Sequence, residues 1–125
     1  MSLCDDDTVT EFEISTGERN RHELKRTHVV EAVRAVREDG FAILHQAVDP
    51  AHIEALRERM LADVAEVLAL DEVPYQFNDG HLQQDPPPFP PYLFSDVLVN
   101  DFVVEITREV LGEGVKNAFY SGNTC

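Results

Sequence analysis

The sequence predicts an α+β fold in which helices outweigh strands and the sheet is incomplete. Three helical stretches alternate with only two short apolar runs, Phe41–Leu44 and Val115–Tyr120, roughly 70 residues apart. Two isolated strands do not make a stable sheet, because three or more are normally needed. A long proline-rich loop lies between them, and loops of that length in compact domains usually carry function or stay irregular.

The elements follow in order. Residues 1–20 are acidic and polar with little periodicity, and the expectation is a flexible acidic tail. From Glu23 to Asp39 the pattern is helical, with Val29, Ala32, Val33 and Val36 on one face. Thr27 or an Asn20–Glu23 capping box would start it. Gly40 suits a left-handed stop.

Phe41–Leu44 reads as a buried strand. Asp49-Pro50 is a helix start, with aspartate as cap and proline in the first turn. The helix that follows places Ile53, Leu56, Met60, Val64 and Val67 on one stripe. Residues 71–94 form the loop, with a turn at Asn78-Asp79-Gly80 and the prolines at 86–88, 90 and 91 opposing regular structure. Ser95 or Asp96 is expected to cap a third helix, with Val99, Phe102, Val103, Ile106 and Val110 as its apolar face and Gly112 as its end. Val115–Tyr120 reads as the second strand. Residues 21–125 are therefore expected to be the N-terminal part of a larger domain.

Ten basic residues against 24 acidic ones give a net charge of −14. That field repels phosphate backbones and anionic lipid surfaces, so neither nucleic acid nor membrane is expected as a partner. No window approaches the roughly 18 apolar residues of a membrane span. Cys4 and Cys125, the only cysteines, have no metal-motif spacing, and a reduced, cytoplasmic protein is the simplest expectation. Exposed apolar helix faces would favour self-association.

Four stretches, in order, resemble the phytanoyl-CoA dioxygenase family of iron(II)/2-oxoglutarate-dependent oxygenases. They are Glu38-Asp39-Gly40 with Phe41–Leu44; Val48-Asp49-Pro50 with Ile53, Leu56 and Arg57; Gly80-His81-Leu82-Gln83-Gln84 with Pro91-Tyr92-Leu93-Phe94; and Val110-Leu111-Gly112 with Tyr120-Ser121-Gly122-Asn123-Thr124. The third and fourth are the distinctive ones. The resemblance implies a double-stranded β-helix, or jelly roll, of which this chain holds the outer helices and the first strand or strands. It implies hydroxylation of a small or lipid-like molecule, coupled to decarboxylation of 2-oxoglutarate on iron(II).

In that family a His-x-Asp pair and a distant histidine hold the iron. Its His-x-Asp follows the stretch that Ser121–Cys125 resembles, so no metal ligand is carried over to any position. This chain alone is expected to bind neither cofactor, to be inactive, and to fold marginally. The alternative is a non-catalytic remnant or interaction fragment.

Among the candidate residues, His81, Gln83 and Gln84 lie in the long loop and are expected to touch substrate or form a lid. Against this stands a plain surface crossing, and His81 with Asp85 is too small a set for a metal site. Tyr120 and Asn123 would lie near the cofactor pocket. Strand packing for Tyr120 and a turn at Ser121-Gly122-Asn123 are the plainer readings. Lys116 reads as a solvated lysine. His52-Ile53-Glu54 is the only His-x-acid pattern, and on a helix its two side chains diverge by about 200°. His22, His28 and His45 read as surface or satisfied histidines.

Overall fold

The computed structural model describes residues 9–75 and 79–124. Cys4, Cys125 and Asn78, the first residue of the expected turn, lie outside them. The chain divides into two compact units, residues 1–47 with 100–115, and 48–99 with 116–125. Helix and strand are mixed, as the sequence predicts.

The first unit holds β1 (Glu11–Glu13), α1 (Thr16–Arg21), α2 (Arg26–Glu38), β2 (Ile43–His45) and α5 (Asp101–Leu111). Strands β1 and β2 pair in parallel, Phe12 opposite Leu44. A parallel pair needs a long crossover, which α1 and α2 supply. Within the expected tail, residues 11–20 instead hold β1 and most of α1, and Ile14 is completely buried. Alternation explains it, since Phe12 and Ile14 face inward while Glu11 and Glu13 face solvent. Ile14, Leu24, Val29, Ala32, Phe102 and Ile106 form the core, and Phe12, Leu44 and Val110 pack on it.

Glu18 organises this unit. Its carboxylate has no exposed surface and accepts four hydrogen bonds. Ser15 donates its backbone N–H (2.9 Å) and hydroxyl (2.7 Å), Lys25 its N–H (2.8 Å) and His28 its Nδ1–H (2.6 Å). Ser15 and Glu18 thus make a reciprocal capping box at the start of α1. Lys25 and His28 tie the same carboxylate to the start of α2. The His28 ring also stacks on Phe12 at 4.2 Å. Burial alone would raise the Glu18 pKa, but these donors outweigh it and hold the carboxyl at about 2.

The α2 face is the predicted one, with Val29 and Ala32 buried and Val33 and Val36 partly so. The helix starts later than expected, at Arg26, and no side chain caps it. Neither Thr27 nor Asn20–Glu23 does so, because Lys25 occupies the cap position and Glu18 satisfies its N–H. Gly40 has φ +90° and donates to the Ala35 carbonyl at 3.1 Å, the expected left-handed stop. The following strand is shorter than Phe41–Leu44 suggested. Phe41 and Ile43 are exposed while Leu44 is inward, so the run is one-sided rather than buried.

The expected third helix is two helices, α4 (Ser95–Leu98), in the second unit, and α5. Asn100 separates them. Its side-chain oxygen accepts from Phe102 N–H (3.1 Å) and Val103 N–H (3.2 Å), and its amide donates to the Ala47 carbonyl (2.9 Å). A cap needs a non-helical backbone, and that ends continuity with α4. Phe102, Ile106 and Val110 form the inward face. Val99 and Val103 are exposed, contrary to expectation. Gly112 ends α5 with φ +95°.

The second unit contains α3 (Pro50–Leu68), β3 (Leu82–Gln83), α4 and β4 (Asn123–Thr124). Asp49 caps α3 by accepting from Ala51 N–H at 2.9 Å, and Pro50 opens the helix. Leu56 is buried and Met60, Val64 and Val67 are half-buried, but Ile53 is 47% exposed. The second strand expected at Val115–Tyr120 is absent. Asn117 folds back on Phe119 N–H (3.3 Å) and donates to the Leu98 carbonyl (3.2 Å), a local bond that competes with an extended ladder. The strand forms instead at Asn123–Thr124, antiparallel to β3.

Candidate functional site

The candidate residues gather in the second unit, around the β3–β4 pair. Gln83 lies opposite Asn123 and Leu82 opposite Thr124. Residues about 40 positions apart in the chain are therefore adjacent. Gln84 extends the ladder by donating its N–H to the Gly122 carbonyl at 3.0 Å. Gly122 allows the approach: a Cβ there would sit 3.2 Å from the Gln84 carbonyl oxygen and 3.7 Å from the Met60 methyl.

Gln84 is buried, and both ends of its amide are hydrogen-bonded. Its Nε2 donates to the Met60 carbonyl at 2.7 Å, and its oxygen accepts from the Thr124 hydroxyl. These bonds pin the β3–β4 pair to the middle of α3. Gln83 and Asn123 instead present exposed side chains at matched register. His81 is half-buried at the entry to β3, and Lys116 is exposed. Tyr120 is half-buried outside any strand, and burial raises its phenol pKa above the ordinary value. The structure therefore brings Gln83, Gln84 and Asn123 together, with His81 one residue before β3.

Two features of the same unit escape sequence reading. The first is His52, which helical spacing separates from Glu54. Its Nδ1 lies 2.8 Å from Asp96 Oδ1, and its ring stacks on Phe94 at 4.2 Å. The other Asp96 oxygen accepts the Asp49 N–H at 2.9 Å. Burial pushes the Asp96 carboxyl up, but the Asp49 N–H and His52 together hold it below the usual carboxylate range. No local signal reveals a pair 44 residues apart.

The second is Arg59. It binds Asp63 through Nε at 2.8 and 3.0 Å and lies over the rings of Phe89 (5.3 Å) and Tyr92 (5.5 Å). The proline-rich loop is thereby seated on α3 by cation–π contacts.

A histidine held at Nδ1 by a carboxylate can present Nε2 as a proton acceptor or a single metal ligand. Among the described residues no group of three or more His, Cys, Asp or Glu is placed to hold a metal ion. No helix among them is long and apolar enough to cross a membrane. No protein-family model matches the chain.

Proposed function

We propose that this chain is the N-terminal, helix-and-first-strand portion of a cytoplasmic non-haem iron(II)/2-oxoglutarate oxygenase of the phytanoyl-CoA dioxygenase type. The whole would be a jelly roll that hydroxylates a small or lipid-like molecule. One observation carries the reading. The two distinctive stretches of the resemblance, Gly80–Gln84 and Tyr120–Thr124, are paired antiparallel at β3 and β4. Antiparallel pairing of strands distant in sequence is what a jelly roll requires.

In this reading the Gln84 bonds to Met60 and Thr124 lock the first pair of the sheet onto α3. Gln83 and Asn123 then stand exposed at its rim, with half-buried His81 one residue before β3, where substrate or cofactor would be met. The iron ligands are assigned to none of the described residues, and the chain alone is inactive.

The test has two arms. The 125-residue chain is incubated with iron(II), ascorbate and 2-oxoglutarate, and succinate is followed by NMR. The same assay is run on the product of the transcript read beyond codon 125. Turnover by the longer product alone is expected, with a His-x-Asp pair and a later histidine encoded in its added sequence. Turnover by the 125-residue chain overturns the division of labour. An added sequence without those ligands overturns the oxygenase reading and leaves an interaction fragment.

A further inference from the structure

The first unit carries a groove whose chemistry differs from the rest of the chain. Its volume is about 370 Å³, and its floor is formed by Val29, Val30 and Val33 of α2. Val30 is 52% exposed although it sits among apolar neighbours. Arg26, Arg34 and Arg37 stand along the rim. Spacings of eight and three residues place them on one side of the helix, with Val30 and Val33 between them.

The rim acids are Glu38 and Glu109, and both are already paired, Glu38 with Arg34 at 2.9 Å and Glu109 with Arg26 at 3.2 Å. Arg37 donates to the Glu109 backbone carbonyl at 3.3 Å and has no carboxylate partner among the described residues. Arg34 keeps a second contact, to the Thr10 hydroxyl at 3.3 Å. The rim is therefore net positive in a chain of net charge −14. A positive rim around an aliphatic floor is complementary to a segment that alternates carboxylates with aliphatic side chains.

We infer that this face of α2 docks an acidic, aliphatic peptide segment, its carboxylates on Arg34 and Arg37 and an aliphatic side chain over Val30. Such exposed pairs are individually weak, so the contact is a transient one that salt disrupts.

The experiment is fluorescence anisotropy on the full chain at low salt. The probe is a fluorescein-labelled peptide alternating leucine and aspartate, and the control is its leucine–lysine counterpart. The acidic probe is expected to bind and the basic one not. Arg34→Gln with Arg37→Gln should weaken binding about tenfold, while Arg34→Lys with Arg37→Lys should largely retain it. About 0.5 M salt should remove it.

The chain's own Asp5, Asp6 and Asp7 have the same charge, so a full-length variant with all three changed to asparagine is measured in parallel. Binding seen only with that variant supports the groove and identifies the native competitor. Equal binding of both probes, or no binding of the acidic probe to either protein, overturns the inference.

Discussion

Replacing Glu18 with glutamine tests the central buried interaction of the first unit. The carboxylate is fully buried and receives two donors at each oxygen, Ser15 N–H and hydroxyl at Oε2, Lys25 N–H and His28 Nδ1–H at Oε1. Glutamine keeps one acceptor oxygen and turns the other position into a donor. Whichever way the amide sits, one backbone N–H then faces an N–H₂ group and loses its partner. An unsatisfied buried donor costs roughly 1–3 kcal/mol.

The pH dependence gives an independent magnitude. The folded-state carboxyl lies at about 2 against an ordinary value of 4.5. Transferred whole, that difference is about 3 kcal/mol, and water near the exposed ends of α1 and α2 screens it to roughly 2 kcal/mol. The folded pKa is depressed, so the contribution is fully present above pH 4.5. It erodes as the unfolded chain takes up the proton, and it is gone below pH about 2.

Urea denaturation followed by circular dichroism should place Glu18→Gln about 2–3 kcal/mol below the parent at pH 7. More than half of that gap should have closed by pH 3. A gap under about 0.5 kcal/mol at pH 7 would refute the reasoning, as would an equal gap at both pH values.

Three further perturbations probe the other elements. Asn100→Ala removes the α5 cap and leaves the Ala47 carbonyl without its donor; a loss of about 2–3 kcal/mol is expected by urea titration, with Asn100→Asp intermediate. Gly122→Ala drives a Cβ to 3.2 Å from the Gln84 carbonyl; it should cost about 1–2 kcal/mol and reduce hydrogen-exchange protection of the Gln84 N–H, and unchanged protection would count against the pairing of β3 with β4. Asp96→Asn weakens the acceptor for the Asp49 N–H and His52. A loss of about 1 kcal/mol is expected at pH 7, shrinking as pH falls below the ordinary aspartate range, because the folded carboxyl is held below it.

Much of the local structure was legible because it depends on neighbours in the chain. Asp49-Pro50 marks the start of α3, Gly40 and Gly112 mark helix ends, and the spacing of Val29, Ala32, Val33 and Val36 marks the buried face of α2. Ser15-x-x-Glu18 is equally a local signature, yet acidic composition hides it behind the expectation of a tail. The same composition obscures β1, where only Phe12 and Ile14 alternate. The candidate site was legible only as residue names. The stretches containing His81, Gln83, Gln84, Tyr120 and Asn123 are recognisable one by one, but nothing local shows that Gln83 faces Asn123.

The sequence by itself determined the α+β character, the buried face of α2 and the helix ends at Gly40, Asp49 and Gly112, because caps, glycine φ angles and apolar periodicity act within one or two turns of chain. Only the tertiary structure decided the rest. It set the strand at Asn123–Thr124 rather than Val115–Tyr120, and the break at Asn100 that divides one predicted helix into two. It also set the partners of Glu18, His52 and Gln84. Each of these depends on a donor or acceptor distant in the chain, such as Ala47 for Asn100, Asp96 for His52 and Met60 for Gln84. A buried polar group must find its partner wherever the fold brings one, and sequence spacing carries no record of that distance.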